Sequence, residues 1–496
     1  VRRSMERLTK IVATLGPAVA SPEEIRALIR AGMDVARLNF SHGDHELHRK
    51  FTTWVREGAA AEGRVVAVLQ DIQGPKLRVG GFPDGGVELA TDDEVTLIAG
   101  RGEAAPGEIL VDYEHLLEDV APGETILVAD GLIRLEAIGS GARGLRARVV
   151  QGGRLLSGKG VAFPQTSLRV PAITDKDRED LAFGAELEVD YVAASFVRTG
   201  SEIAEIRDLS GGKPVIAKIE LAAAYSNLDD ILIESAGAMV ARGDLGVQLP
   251  LERIPLIQAD ILSRTNAAGL ISITATEMLE SMTKSIRPTR AEVTDVANAV
   301  LAGTDAVMLS AETASGDYPV ESVLTMARIC AEAEKGLPGE TRKSVGFIST
   351  PEDSFASAIA RAAVEAASNL GIQTIVAFTE SGATARLLSK YRPEVRIVGF
   401  TPIPETLAKM AFYRGVRPHL FGRREYTDMM IAAAEKFLEK EGICERGEAV
   451  IMVAGIPPNQ QASTNLMKVH VIGERDRGAL SQKSQRTSPE IGGFGN

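Results

Sequence analysis

Short apolar, β-branched runs alternate with amphipathic stretches through the first 330 residues. Eight runs carry the strand signature: KIVATL (10–15), DVARLN (34–39), RVVAVLQ (64–70), VDYVAAS (189–195), PVIAKIE (214–220), AGAMVAR (236–242), LISITAT (270–276) and DAVMLS (305–310). Most are separated by a stretch of helical periodicity with legible ends. In SPEEIRALIRAG, Ser21 is placed to cap the N-terminus and Pro22 to take the first helical position. Glu24 would close a capping box, and Gly32 follows the last turn. Eight buried parallel strands, each followed by a helix, predict a (β/α)8 TIM barrel, an α/β fold.

The rhythm breaks between residues 75 and 165, where Gly, Asp and Pro punctuate short runs such as EVTLIA (94–99), TILVAD (125–130) and LRARVV (145–150). That pattern predicts a small all-β domain inserted after the third barrel strand. A helical stretch around 320–335 and a loose connector, GLPGETRKSVGFISTPED (336–353), lead to a second α/β unit ending near residue 473. The predicted organisation is a barrel of residues 1–74 and 166–335, an inserted β-barrel lid of 75–165 and a C-terminal α/β domain of 350–473. Residues 474–496, rich in Ser, Arg, Gln and Gly, read as a disordered tail. The opening VRRSMERLTKIVATLGPAVAS imitates a signal peptide, but Thr9, Lys10, Thr14, Gly16 and Pro17 interrupt its apolar centre. A strand entering a turn fits it better.

Charge narrows the choice of ligand. Lys plus Arg number 55 and Asp plus Glu 67, a formal balance of −12 with a pI near 5.3. This argues against general binding to nucleic acid or to anionic membranes, so an anionic ligand must be held by local clusters. Two cysteines, Cys330 and Cys444, cannot build a disulfide framework and fit a reduced cytoplasmic compartment. No apolar run approaches the ~18 residues of a membrane span.

Chemistry in such a barrel sits at the C-terminal ends of the strands. The second strand ends in Arg37-Leu38-Asn39, followed by Phe40-Ser41-His42-Gly43, and the third runs into Asp71. The fifth ends in Lys218-Ile219-Glu220, the sixth in Arg242-Gly243-Asp244, the seventh in Thr274-Ala275-Thr276-Glu277 and the eighth in Ser310-Ala311-Glu312. Strand alternation puts Lys218 and Glu220 on one face. Glu220 and Asp244, on neighbouring strands, suit Mg2+, which takes one or two carboxylates and completes its shell with water and substrate oxygens. The plainer alternative is a simple Lys218–Glu220 ion pair. So many polar residues converging on one rim favour a site, because buried charges persist only when paired or coordinated. The amides of Gly243 and Asp244, opening the next helix, can hold a carboxylate. Arg37 and Arg78 can grip phosphate oxygens. In DIQGPKLRVG (71–80) a second cation, Lys76, stands behind a Gly-Pro step. A metal, an anionic substrate and a phosphoryl group are implied, and positioning with charge neutralisation is what phosphoryl transfer requires.

These stretches resemble the pyruvate kinase family. The matching motifs are TKIVATLGP (9–17), ARLNFSHG (36–43), KIE (218–220), MVARGDLG (239–246), ESMTKSIRPTRAEVTDVANAV (280–300) and MLSAETASGDYP (308–319), in family order, within a resemblance that spans residues 8 to about 473. The resemblance implies a homotetramer that converts phosphoenolpyruvate and ADP to pyruvate and ATP. By motif, Lys218 would stabilise the phosphoryl group in transfer, and Glu220 and Asp244 would bind Mg2+, or Mn2+ in its place. Thr276 and the Gly243-Asp244 amides would hold the substrate carboxylate, and Arg37 and Arg78 would bind phosphates. Ser310 and Thr276 lie where the family organises the water that protonates the enolate. His42, Lys159 and Asp130 match nucleotide-side positions. Ala162, Glu277 and Ala311 depart from the common Asn, Gln and Gly but leave the charged set intact.

Asn39, Ser41, Asp71 and the carbonyl of Ile72 match the K+ site of many pyruvate kinases. Relatives that use K+ generally carry Glu at the position of Lys76, with Thr and Lys at those of Ile72 and Gln73. Val79 completes the pattern of relatives that need none. The resemblance thus implies a vestigial monovalent-cation site whose charge Lys76 supplies, and activity without K+.

The C-terminal unit offers a second site. TIVAFT (374–379) runs into Thr379-Glu380-Ser381-Gly382-Ala383-Thr384, small hydroxyl-bearing residues opening a helix that can cradle a phosphate. An ordinary capped turn is the alternative. By resemblance this loop binds a phosphorylated allosteric effector, although PPNQQAST (457–464) departs from the Gly-rich stretch usual before Thr464-Asn465 and leaves the effector's identity open. Two other functions fit parts of the pattern. A metal-dependent oxo-acid lyase or aldolase would use the carboxylate pair but not the lid, Arg78 or Lys159. A catalytically dead regulatory paralogue would have lost charges that are all present.

Overall fold

The computed structural model describes residues 7–166, 168–336, 354–456 and 463–474. Eight parallel strands close a barrel: Lys10–Leu15, Val35–Asn39, Ala67–Asp71, Tyr191–Ala194, Val215–Ile219, Gly237–Ala241, Ile271–Ala275 and Ala306–Leu309. Each strand pairs with its successor and the last pairs with the first, the order of a (β/α)8 barrel. The third strand starts three residues later than its apolar run suggests, because Arg64 to Val66 belong to the approach from the preceding helix, His45–Ala61.

Alternation decides what each strand shows to each side. Ile11, Ala36, Leu38, Val68 and Val192 pack outward against the helices. Val12, Val35, Leu69, Tyr191, Ala193, Ile216, Met239, Ile273 and Met308 fill the interior. One step further up the same inward rows stand Thr14, Arg37, Asn39, Asp71, Ser195, Lys218, Glu220 and Ser310. Period 2 therefore makes both the apolar floor and the polar rim from the same strands. The helix Pro22–Ala31 begins at Ser21, whose hydroxyl accepts the Glu24 amide at 3.2 Å. The expected reciprocal arm differs: the Glu24 carboxylate takes the Ser21 hydroxyl at 2.9 Å.

After the third strand the chain leaves the barrel through Gly74, at φ +65°, where a Cβ would lie 2.8 Å from the Ser195 carbonyl. It then builds a β unit with its own core, from Val79 to Phe163. A six-stranded sheet and a two-stranded one make up this unit, with one helical turn, Leu116–Asp119, that the sequence pattern did not reveal. The C-terminal unit is a five-stranded sheet ordered Val416–Leu420, Arg396–Thr401, Thr374–Phe378, Ala449–Ala454 and Leu466–Val471, antiparallel only at the last pair. Apolar clusters cover both of its faces. The bulk of the predicted connector (337–353) and the predicted tail from 475 onward lie outside the described residues.

The C-terminal unit closes the bottom of the barrel. Phe412, fully buried, enters the interior cluster and meets the Tyr191 ring edge-on at 5.1 Å. Around it, Lys10 donates to the Val416 carbonyl at 2.7 Å and Tyr191 to the Lys409 carbonyl at 3.0 Å. No helix among the described residues is long and apolar enough to cross a membrane.

Candidate active site

Asp71 is the hub of the rim. It ends the third strand at 1% exposure, in register with Asn39 on one side and Ala193 on the other. Its Oδ2 accepts from Arg37 Nε at 2.7 Å and its Oδ1 from Lys218 Nζ at 3.1 Å. Burial works against the ionised form, but Arg37 and Lys218 outweigh it and hold the carboxyl below the usual range. Arg37 is anchored by a second bond to Thr14 Oγ1 at 2.9 Å, which aims its remaining donors at the rim.

Lys218 lies between two carboxylates and a hydroxyl. Its Nζ stands 2.9 Å from Glu220 Oε1, 3.1 Å from Asp71 Oδ1 and 2.6 Å from Ser195 Oγ. Burial favours losing the proton, yet Asp71 and Glu220 reverse this and raise its pKa. The side chain is a permanent cation, suited to neutralising developing charge and unsuited to serving as a base or amine nucleophile. Ser195 was not singled out from the sequence, because a lone serine after an apolar strand carries no motif. Its hydroxyl also donates to the Ile72 carbonyl at 2.6 Å and lies 3.3 Å from Asp71 Oδ1.

Glu220 is 1% exposed and accepts the Phe196 amide at 2.8 Å. Phe196 adopts φ +55°, a left-handed turn costing about 1–3 kcal/mol in a non-glycine residue and typical of functional loops. Burial pushes the Glu220 carboxyl up to about 6, Lys218 opposes the shift, and the charge of Asp244 adds to it. A buried carboxylate raised by the charge of a second carboxylate is donor chemistry that a divalent cation satisfies. The Glu220–Asp244 pair therefore fits Mg2+. The described residues contain no cluster of three or more His, Cys, Asp and Glu that could hold a metal.

Thr276 and Gly243 are brought together as expected: Thr276 Oγ1 accepts the Gly243 amide at 3.0 Å. Thr276 and Glu277 are also left-handed, at φ +63° and +53°. Arg242 ties the loop to the seventh strand through the Ala275 carbonyl at 3.2 Å and to Asp295 at 2.5 Å. Ser310 follows the eighth strand, its amide bound at 2.7 Å by the fully buried Glu312, which also takes the Leu279 amide at 3.0 Å.

The remaining expected residues sit nearer the lid. Arg78 is exposed and donates to the Gly158 carbonyl at 3.0 Å rather than reaching the rim. Residues 78 and 160 form a bridge, the Lys159 carbonyl accepts the Val79 amide at 2.9 Å, and Asp130 Oδ1 lies within 3.6 Å of where a Cβ on Gly160 would be. Arg78, Lys159 and Asp130 thus share the lid edge. His42 is exposed on the loop after the second strand. At the matched monovalent-cation site, the Asn39 amide oxygen accepts the Ser41 amide at 3.1 Å. Lys76 does not point there: its Nζ is 3.1 Å from Asp244 Oδ1.

In the C-terminal unit, Gly382 takes φ +89° and its amide donates to Thr379 Oγ1 at 2.9 Å, opening the helix Ala383–Lys390. Ser381 is exposed, while Thr384 is buried against Thr464 with their hydroxyls 2.8 Å apart. The Glu380 carboxylate accepts from Arg423 at 3.0 Å. Residues 457–462 of the departing PPNQQAST stretch lie outside the described residues.

A rim that fixes cations against buried carboxylates, over a closed α/β barrel with an inserted β unit, is the equipment of a phosphotransferase. Comparison with known proteins agrees and narrows the class. A family model described as "Pyruvate kinase, barrel domain" matches residues 6–323, and one described as "Pyruvate kinase, alpha/beta domain" matches residues 357–470. Curated pyruvate kinases of Staphylococcus aureus strains MRSA252 and USA300 are each 42% identical over 479 residues, covering 94% of this chain and 81% of theirs. The chain belongs to the pyruvate kinase family.

Proposed function

We propose that the chain transfers the phosphoryl group of phosphoenolpyruvate to ADP, giving pyruvate and ATP in the last step of glycolysis, with Mg2+ and without K+, in the cytoplasm. The observation that carries this reading is Lys218, a cation held between the buried Asp71 and Glu220. Bound at Glu220 and Asp244, Mg2+ supplies charge neutralisation for phosphate oxygens. Lys218 and Arg37 face the transferring group from fixed positions and need no reorganisation as charge moves from the enol oxygen to the nucleotide. Thr276 and the Gly243 amide orient the substrate carboxylate, and Ser310 with Thr276 holds the water that protonates the enolate. Arg78, Lys159, Asp130 and His42 meet the nucleotide when the lid closes over the rim and excludes water. A homotetramer and a phosphorylated effector at residues 379–384 complete the reading.

Independence of K+ rests on who already uses the matched oxygens. Ser195 occupies the Ile72 carbonyl, Ser41 the Asn39 side chain, and Arg37 with Lys218 the Asp71 carboxylate. Lys76 brings a further charge into reach of the substrate phosphate. One charge near 4 Å is worth about 1–4 kcal/mol between bulk water and protein surface, enough to change a rate tenfold or more. The test is a coupled assay for pyruvate formation with and without ADP, in K+ and in a large organic cation at equal ionic strength. ADP-dependent turnover that differs little between the two salts is expected, and Lys76→Glu should create a K+ requirement. ADP-independent pyruvate release would point to a lyase, and loss of most wild-type activity without K+ would refute the role given to Lys76.

A further inference from the structure

We infer that Lys76 is a latch: its ammonium pairs the lid hinge to Asp244 on the barrel rim, and a divalent cation at Asp244 must displace it. The inference rests on the reading of Glu220 and Asp244 as the metal-binding pair. Lys76 lies two residues beyond Gly74, where the chain leaves the barrel, and its Nζ reaches Asp244 Oδ1 at 3.1 Å across 168 residues of sequence. Both side chains are about 30% exposed, so the pair is accessible to an incoming ion. The lysine is also seated: Nζ lies 5.9 Å from the centre of the Phe196 ring, on the turn that donates to Glu220. On the lid side, a Cβ at position 160 would come within 3.3 Å of Lys76 Cε, so Gly160 leaves the stem its channel. The carboxylate that would serve the metal is thus already bound to a cation carried by the inserted domain.

Two cations drawn to one carboxylate oxygen exclude each other through their own repulsion, and the effect is reciprocal. Ion binding weakens the latch, and the latch weakens ion binding. Once displaced, Lys76 is free to turn toward substrate phosphate. This gives one lysine two positions and reconciles its contact with Asp244 with its proposed role in place of K+.

The experiment is a titration of the full chain with Mn2+, without substrates and at constant ionic strength, with free ion read by electron paramagnetic resonance. Lys76→Met should bind Mn2+ at least ~10-fold more tightly than wild type, the worth of one charge at this separation, and Lys76→Arg should stay near wild type. In an Asp244→Asn background, Lys76→Met should no longer change the affinity. Loss of a merely structural contact would not tighten binding. Amide exchange of residues 76–79 gives the second readout: Mg2+ should speed it in wild type, and in Lys76→Met it should be fast without the ion. Affinity that depends on Asp244 but not on Lys76, or hinge exchange that ignores the ion, would overturn the latch and leave the metal site standing. Affinity indifferent to both Asp244→Asn and Glu220→Gln would overturn the metal reading itself, and the latch with it.

Discussion

Asp71, Glu220 and Lys218 concentrate three charges where little solvent reaches, and together with Arg37 they offset one another. Removing one partner from such a group leaves buried charge uncompensated, at about 3–5 kcal/mol. Lys218→Met should therefore lower the melting temperature as well as the rate. Turnover should drop by at least ~10²-fold, the usual effect of losing one preorganised charge stabiliser. Lys218→Arg, which keeps the charge balance, separates the two effects: it should recover most of the stability but not the rate, since a planar guanidinium cannot occupy the same point. Steady-state kinetics beside thermal melting of the same preparations check this. Near-normal turnover in folded Lys218→Met would remove Lys218 from the mechanism.

The helix Ala383–Lys390 joins two places with different chemistry. It starts at the Gly382 loop and ends at Lys390, buried beneath the seventh and eighth barrel strands. There Lys390 pairs with Asp305 and donates to Asn266 Oδ1 at 3.0 Å, while Arg392 reaches the same Asp305 at 3.2 Å. Ser272 donates to Asp305 from the seventh strand. Two cations share one carboxylate, so Asp305 is held below its usual range while burial, aided by Arg392, lowers Lys390 to about 8. Between that value and the ordinary 10.5 of an unfolded lysine, the unfolded chain binds a proton that the folded chain has released. Stability therefore rises with pH across this window and is lower below it, by up to about 3 kcal/mol for this group. Denaturation at pH 7.5 and 9.5 should show wild type gaining on Lys390→Met at the higher pH. An equal difference at both would mean that Lys390 titrates normally.

Across the whole molecule the C-terminal unit acts as the floor of the barrel whose rim carries the chemistry. Phe412→Ala would empty a fully buried aromatic site against Tyr191 and should cost about 3–5 kcal/mol. Thermal unfolding measured by calorimetry should show this as a lower or split transition; an unchanged one would mean the floor contributes nothing. The same contacts can carry a signal upward. A phosphorylated metabolite at residues 379–384 is expected to change the affinity for phosphoenolpyruvate by ~5–150-fold, the usual span of such coupling. Ser381→Glu, exposed beside the Gly382 amide, should abolish that response and spare unstimulated activity. Thr384 is a poorer choice of variant, because its buried bond to Thr464 makes it structural. A Ser381→Glu enzyme that still responds would place the effector elsewhere.

The sequence by itself determined the eight strands, the inserted β unit, the second α/β unit and most of the rim, since strand period and strand ends are local properties. An inward row that is apolar at its base and charged at its end declares both core and site, as with Lys218 and Glu220. Tertiary structure alone decided the partners. Ser195 is a single hydroxyl without a motif, and Thr14, though inside TKIVATLGP, carries no sign of its partner; barrel closure brought them to Lys218 and Arg37. The packing of the inserted unit on the barrel brought Lys76 to Asp244, and the unit's own strands engaged Arg78 at Gly158. Phe412 carries no motif, and only the meeting of the two domains gives it its place against Tyr191. Periodicity states which face a residue occupies; only the closed fold, by bringing residues distant in sequence within a few ångströms, states what that face meets.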